Sequence, residues 1–289
     1  MGRARPLRPE RVPAEEVRQR MLDAGRELAL ESGAALTIEH LRLEGVIQRA
    51  RVPRSSVYRL WPYREDFIDD LLCYLAGPGS WFSERTVLDP ETATVVTALL
   101  TDNRHLLATP DGRRSLLCEV VRVTVASNYQ TLSDSLTWRL HMALVATLGS
   151  TRSGEARKKI AASLEDAQSR SRDSMVAVFG SLATAIGLRL RDPARTPEHM
   201  QLAGGLLVQS MALRNVQVQA ALAEAGEPRG DTAGVADVTD AAHVDSLLNA
   251  PIPGPGLDGK PAAWTLAAFA YLGIVDAFTE LDPDFSPPP

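Results

Sequence analysis

The chain has 289 residues, of which 45% are hydrophobic, so it can bury a core as one large domain or two of ordinary size. Its formal net charge of −5 argues against a nucleic-acid partner if the charge is evenly spread. The two cysteines, Cys73 and Cys118, are too few for a disulfide framework, and we expect both to be reduced, buried thiols. No apolar signal core and no run of roughly 18 apolar residues is present, which favours a cytoplasmic protein without a membrane partner.

Ala and Leu dominate the composition, and aromatic residues make up only 5% of the chain. Runs of β-branched residues are short, so the composition favours helices over sheets. We therefore expect an all-α fold without substantial β-structure.

The first 13 residues place four arginines between prolines and predict an unstructured basic arm. This arm is either a solvated tail or a DNA-contacting segment. Apolar spacing then predicts four helices in the next part of the chain. They cover residues 14–33, 42–50, 53–61 and 64–76.

The remainder of the chain keeps a helical period in most places. The predicted helices are 92–108, 113–127, 133–148, 155–190, 198–224 and 262–281. The stretch 226–261 holds six Gly and five Pro, which predicts a long loop or a partly disordered crossover. A single turn around Val244 to Leu248 is the most regular structure we expect in that stretch.

Positive charge is concentrated near the N-terminus. Residues 1–75 carry 13 Arg and 12 acidic residues, whereas 76–289 carry 18 Lys or Arg and 24 acidic residues. Between Arg42 and Arg64 there are six Arg and a single acid, Glu44. A local basic cluster of this kind is typical of a nucleic-acid contact surface.

The stretch 43–61 is predicted to form two short helices around a tight turn at 50–53. The side chains expected to face inward together are Val46, Ile47, Val52, Val57 and Trp61. The outward face of the second helix then carries Arg54, Ser55, Ser56, Tyr58 and Arg59, donors that suit the DNA major groove. Arg42 and Arg64 stand at the front of two helices, where both can hold phosphate. This pattern predicts a helix-turn-helix.

The segment "ARVPRSSVYRLWPYRED" resembles the signature of the tetracycline-repressor (TetR) family of bacterial transcriptional regulators. The matching positions are Ala50, Val52, Val57, Tyr58, Trp61, Arg64 and Glu65. The resemblance implies that Tyr58 contacts phosphate and that Arg64 replaces a phosphate-binding lysine. It implies that Arg54, Ser55, Ser56 and Arg59 face the groove.

Four positions depart from the family pattern, and one of them is Arg42, which stands where the family usually has a capping Thr. Arg51 replaces a turn glycine, and Arg tolerates a positive φ poorly, so we expect a strained or altered turn. Pro53 replaces a Ser cap, although Pro suits the first helical position better. Leu60 replaces a histidine that reaches the DNA backbone, so that contact should be missing.

The resemblance implies that the later helices bind a small ligand and form a homodimer. Two of them are expected to pair across a dimer axis through Leu202, Leu206, Ser210, Leu213, Trp264, Tyr271 and Phe278. The candidate ligand-lining residues, each of which is also an ordinary core or surface candidate, are His105, Asn128, Trp138, His141, Met142, Met175 and Phe179.

No catalytic constellation is evident. The five histidines lack metal-ligand spacing, and no Cys-x-x-Cys occurs, so we expect no metal, no cofactor and no enzyme activity. The sequence thus predicts a basic arm at 1–13, a DNA-binding domain at 14–63 and a ligand-binding and dimerisation domain at 64–289. The expected function is a repressor that binds a near-palindromic operator in double-stranded DNA and is released by a small molecule. The alternatives are a helical ligand-binding protein with weakened DNA contact and, more distantly, a helical enzyme acting on a hydrophobic metabolite.

Overall fold

The computed structural model describes residues 12–31, 41–77, 89–148, 154–225 and 235–287. These residues are predominantly helical, which confirms the all-α prediction. The chain divides into two compact units. Unit 1 comprises Met1–Trp81 and Leu136–Ala167, and unit 2 comprises Phe82–Ser135 and Gln168–Pro289. Most of the basic arm lies outside the described residues.

Unit 1 is built from short amphipathic helices around one core. Its helices are α1 (Ala14–Glu31), α2 (Leu43–Ala50), α3 (Arg54–Leu60), α4 (Arg64–Ala76), α7 (Leu136–Thr147) and the first part of α8 (Gly154–Ile186). Val17 and Met21 of α1 and Phe67 and Leu71 of α4 are fully buried at its centre. A Cβ at Gly25 would press on the Leu71 side chain, so this glycine permits the close packing of α1 on α4.

Unit 2 contains the longer helices. They are α5 (Pro90–Asp102), α6 (Pro110–Asp134), the rest of α8, α9 (Pro197–Ala225), α10 (Val235–Asn249) and α11 (Leu266–Phe278). Short 3-10 helices cover Arg104–Ala108 and Leu257–Gly259. Helix α5 begins at Asp89, whose carboxylate accepts from Thr92 N at 2.8 Å. The hydrogen bond from the Thr92 hydroxyl, together with the one from Thr92 N, lowers the pKa of Asp89 to about 2.

Two antiparallel ribbons interrupt the helices of unit 2. Strand β1 (Leu188–Leu190) pairs with β4 (Thr279–Leu281), and β2 (Ile252–Pro255) pairs with β3 (Pro261–Trp264). The predicted helices 155–190 and 262–281 therefore extend too far. Gly187 has φ 74° and ends α8, and the Thr265 hydroxyl accepts from Ala268 N at 3.2 Å and starts α11 only after β3.

The prediction of a long loop over 226–261 is also wrong in its described part. Residues 235–249 form α10, and two strands and a 3-10 turn occupy most of 252–264. The Gly and Pro residues of the stretch lie at its ends, and 235–250 contains neither residue type. Asn249 fixes the end of α10, because it accepts from Tyr129 Oη at 3.1 Å and donates to Asn215 Oδ1 at 2.9 Å.

Among the residues that the structure describes, no helix is both long enough and apolar enough to cross a membrane.

Candidate nucleic-acid interface and interior cavity

Helices α2 and α3 form a corner through the connection Arg51–Pro53. Arg51 takes the left-handed conformation with φ 53° and ψ 44°. Glycine is favoured in this conformation, so the backbone of the turn is strained at Arg51. Pro53 occupies the cap position of α3 and makes no side-chain cap hydrogen bond. Its carbonyl oxygen accepts from Ser56 N at 3.0 Å and from Val57 N at 3.3 Å, so the backbone alone starts the helix.

A dense core supports the corner from beneath. The five side chains predicted to face inward are all buried, which confirms that part of the sequence analysis: Val46, Ile47, Val52, Val57 and Trp61. The Trp61 ring meets Phe67 edge-on with centroids 5.2 Å apart, and Trp61 Nε1 donates to Asp70 Oδ2 at 2.8 Å. Asp70 also pairs with Arg18 Nη2 at 3.0 Å. These contacts hold the end of α3 against α4 and α1, so its outer face is presented on a fixed support.

The outer face of α3 carries the polar residues that the sequence singled out. Arg54, Ser55, Tyr58 and Arg59 are exposed, and Ser56 is half-buried. Arg42, just before α2, is exposed as well. Tyr63, which the sequence analysis did not select, is the most exposed aromatic residue near this face at 71%.

Glu44 of α2 engages two residues of this face. Arg54 Nη2 lies 2.6 Å from Glu44 Oε2, and the Tyr58 hydroxyl donates to Glu44 Oε1 at 3.2 Å. The only acid of the basic cluster therefore orients two of the candidate DNA-contacting side chains. The position of Glu44 is evident from the sequence. Its contacts with Arg54 and Tyr58 are not, because they depend on the angle between α2 and α3.

Two other arginines of the cluster have structural contacts. Arg64 donates from Nε and Nη2 to the Leu41 carbonyl oxygen, at 3.3 Å and 3.2 Å. Arg49 lies 2.7 Å from Glu31 and 3.3 Å from Glu27 of α1, and its hydrogen bonds lower the pKa of the Glu31 carboxyl. Arg49 thus joins α2 to α1, while Arg42, Arg51, Arg54 and Arg59 supply exposed positive charge.

A cavity of about 210 Å³ lies inside unit 2. Helices α6, α8, α9 and α11 form its walls, and most of the lining side chains are aliphatic or aromatic. The polar residues of the lining are Thr124, Asn128, Gln168, Ser171, Arg172, Gln201, Gln209 and Tyr271. Tyr271 is largely buried, and desolvation raises the pKa of its hydroxyl to about 12.

The structure distributes the candidate ligand residues over several places. Asn128, Met175 and Phe179 line the cavity. His105 is exposed in the 3-10 helix of unit 2. Three others belong to unit 1: Trp138, His141 and Met142. Desolvation lowers the pKa of His141 to about 4, so this buried imidazole is neutral at pH 7. Gln201 and Tyr271, which sequence reasoning did not select for the cavity, both line it.

The candidate dimer residues differ in exposure. Leu202 and Leu206 are 49% and 55% exposed and also line the open side of the cavity. Ser210 is exposed, and Leu213 and Phe278 are half-buried. Trp264 and Tyr271 are buried within the chain itself. Sequence reasoning missed Phe269 of α11, which is 42% exposed.

The comparisons with protein-family models, curated proteins and solved structures found no match for this chain. Within the described ranges, no group of three or more His, Cys, Asp or Glu side chains is placed to hold a metal ion.

Proposed function

We propose that the protein is a DNA-binding transcriptional regulator that reads its operator with α3. The observation that carries this proposal is the exposed face of Arg54, Tyr58 and Arg59 on a fully packed corner. Arg and hydroxyl groups recognise base edges and phosphates, and a helix of this size enters the major groove. The similarity of this segment to the TetR signature supports the same conclusion and favours a repressor.

Binding on this face requires the Glu44 contacts to open. Arg54 and Tyr58 both engage Glu44, so DNA phosphates or bases compete with one carboxylate for two side chains. Because the Arg54 side chain is 67% exposed and that of Glu44 46% exposed, water and salt screen this ion pair, and phosphate can compete for Arg54. Glu44 then preorients the two groups without blocking them.

We further propose that the active form is a homodimer. Helix α9 exposes Leu202 and Leu206 one turn apart, and α11 exposes Phe269. Apolar side chains of this size favour burial against a second copy. A two-fold dimer would present two α3 helices to half-sites about 34 Å apart, which explains why the expected operator is near-palindromic.

The cavity supports release by a small molecule. It is largely apolar, partly open to solvent and bounded partly by α8, which contributes residues from Gln168 onward to its wall. Helix α8 is continuous from unit 1 into unit 2, so a change in its geometry has a covalent route between the units. A ligand that prefers one geometry of α8 would shift the population that binds DNA.

A second candidate function is ligand binding with little sequence-specific DNA contact. It is favoured by one observation, namely that Glu44 and the Leu41 carbonyl oxygen already engage Arg54, Tyr58 and Arg64. In such a protein the polar face of α3 would not bind a specific DNA sequence, and the function would be ligand binding in the cavity.

Selection of genomic DNA fragments with the purified full-length chain separates the two functions. The regulator predicts enrichment of a few fragments that share a near-palindromic site, with an affinity that falls steeply as salt rises. Light scattering should then give a mass of about twice the 31.3 kDa of one chain. Equal recovery of all duplexes of similar length would favour the second function, and a monomeric mass would remove the proposed dimer.

A further inference from the structure

Two polar residues form a buried pair in the wall of the cavity. Gln201 of α9 is 7% exposed and Tyr271 of α11 is 8% exposed. The Tyr271 hydroxyl donates to Gln201 Oε1 at 3.1 Å. A Cβ at Gly204 would overlap the Tyr271 ring, so the ring is seated directly on the backbone of α9. Both side chains are therefore held in place before any ligand arrives.

The pair has hydrogen-bonding capacity left over. A primary amide has two N–H donors on Nε2, and the bond from Tyr271 occupies only its oxygen. Within the residues that the structure describes, Gln201 Nε2 makes no hydrogen bond, and Gln201 lines the cavity. Because Gln201 lines the cavity, an acceptor on an occupant can take the place of water at this N–H group.

The remaining lining limits the chemistry of the occupant. Arg172 is the one charged residue among the described lining residues, and no carboxylate accompanies it. The cavity thus offers hydrogen-bonding side chains, the Gln201 N–H donors among them, to a polar group, and aliphatic and aromatic contacts to the rest. Its volume of about 210 Å³ exceeds the roughly 150 Å³ of an engineered cavity that binds benzene, so about ten non-hydrogen atoms fit.

We propose that the cavity binds a small, largely apolar molecule whose carbonyl or carboxylate oxygen accepts a hydrogen bond from Gln201 Nε2. This inference rests on the proposed function only in making that molecule the signal that releases DNA. Tyr271 is a positioning residue, because its hydroxyl holds the Gln201 carboxamide so that the N–H side faces the cavity. A cationic amine of the same length binds more weakly, because its charge would leave water and the described lining residues include no Asp or Glu to pair with it.

Three probes of similar length test the ligand chemistry on the full chain by isothermal titration calorimetry. They are 2-nonanone, octanoate and octylamine. The ketone and the carboxylate should bind with dissociation constants of about 10–100 µM, and the amine at least about tenfold more weakly. Tighter binding of octanoate than of the ketone would assign the added affinity to Arg172. Equal binding of all three probes, or no binding of any, would overturn the proposal.

Substitutions locate the acceptor contact. Gln201→Met keeps the length of the side chain but removes its donors, and should weaken ketone binding about tenfold. Tyr271→Phe should weaken it less, about threefold, because the donors remain but lose their orientation. Gln217→Met is the matched control, since Gln217 is exposed on the same helix and does not line the cavity. Circular dichroism checks that each variant is folded, and Tyr271→Phe carries the test if Gln201→Met is not.

The outcomes for ligand and for DNA are separable. Undiminished ketone binding in both Gln201→Met and Tyr271→Phe would contradict the inference, whatever the chain does with DNA. Selective probe binding by a chain that binds no operator would contradict the proposed regulator but leave the ligand chemistry intact. Release of a bound operator by 2-nonanone in the wild type, but not in Gln201→Met, would support both.

Discussion

Apolar side chains are buried to different extents at the α2–α3 corner of unit 1 and in the cavity wall of unit 2. At the corner, Val46 and Val57 are fully buried and Trp61 is 3% exposed, so these core side chains are covered by the chain itself. Along α8, by contrast, Met175, Phe179 and Leu182 remain only half-buried although they point at the same cavity. One region has a completed core, and the other has a core with space left in it.

This difference separates two modes of binding. A completed core fixes the outer side chains above it, which suits contact with a rigid partner such as a DNA duplex. An incomplete apolar core gains stability when a small molecule fills it, so its occupant also becomes part of the fold. The outer face of α3 is therefore suited to a charged partner. The cavity of unit 2 is suited to a small apolar molecule of matching shape.

The largest expected effect comes from breaking the completed core. Trp61→Ala should lower the free energy of unfolding by about 3–5 kcal/mol, because it opens a cavity beside Phe67 and leaves Asp70 without its indole donor. Tyr63→Ala is the matched control, since that ring is 71% exposed, and should change stability by less than about 0.5 kcal/mol. Urea denaturation of both variants measures the difference. Similar values for the two would show that the corner is not packed as described.

Two neighbouring glycines of α9, Gly204 and Gly205, test how closely α9 packs on α11 in unit 2. Gly204→Ala should destabilise the fold by about 1–3 kcal/mol, because the new methyl group overlaps the Tyr271 ring. Gly205→Ala should stabilise it by about 1 kcal/mol, because its methyl group meets open space and Ala is the better helix former. Thermal unfolding of the two variants should therefore shift in opposite directions. Shifts of the same sign would contradict the described packing of α9 on α11.

Substitution of Glu44 tests whether its contacts with Arg54 and Tyr58 compete with DNA for these two side chains. Glu44→Gln keeps the shape of the side chain and removes its charge, so DNA affinity should rise about three- to tenfold for operator and unrelated duplex alike. Fluorescence anisotropy at two salt concentrations measures the change. Glu91→Gln is a control of the same type on α5, and it should leave the affinity unaltered. A loss of affinity in Glu44→Gln would mean that the preorientation outweighs the competition.

The smallest expected effect concerns the turn between α2 and α3. Arg51→Gly should relieve the left-handed strain and stabilise the chain by about 1 kcal/mol, less the added entropy of the unfolded state. Gln48→Gly is the comparison, because that residue lies within α2, and it should destabilise the chain by a similar amount. The denaturation midpoint should rise for Arg51→Gly and fall for Gln48→Gly. A lower midpoint for Arg51→Gly would show that the arginine stabilises the turn by its contacts.

The sequence predicted unit 1 closely because its signals are local. Residues three and four apart on one helix share a face, so Val57 and Trp61 could be placed in the core without any tertiary information. The predicted helix at 53–61 agrees with α3 to within one residue at each end. What escaped prediction there is the Glu44 contact, because it depends on how two helices cross rather than on the spacing along either.

Unit 2 was harder to predict because its features depend on distant parts of the chain. Strand β1 pairs with β4 some ninety residues later, and each was predicted as the end of a helix. Tyr271 was expected at a dimer interface, yet it packs on Gly204 and donates to Gln201 in the same chain. Met175 and Phe179 were candidates among many apolar residues, and only the arrangement of four helices separates the cavity lining from ordinary core.

The most direct test of the central claim is the affinity of the Arg54→Ala/Tyr58→Ala double variant for a DNA fragment that the wild type selects. Both side chains project from α3 and neither is buried, so helix content and oligomeric state should be unchanged. Anisotropy with the labelled fragment should show a loss of at least about 100-fold, because two base or phosphate contacts are removed. Arg214→Ala, an exposed arginine of α9, should stay within about twofold of the wild type. Wild-type affinity in a folded double variant would contradict the account.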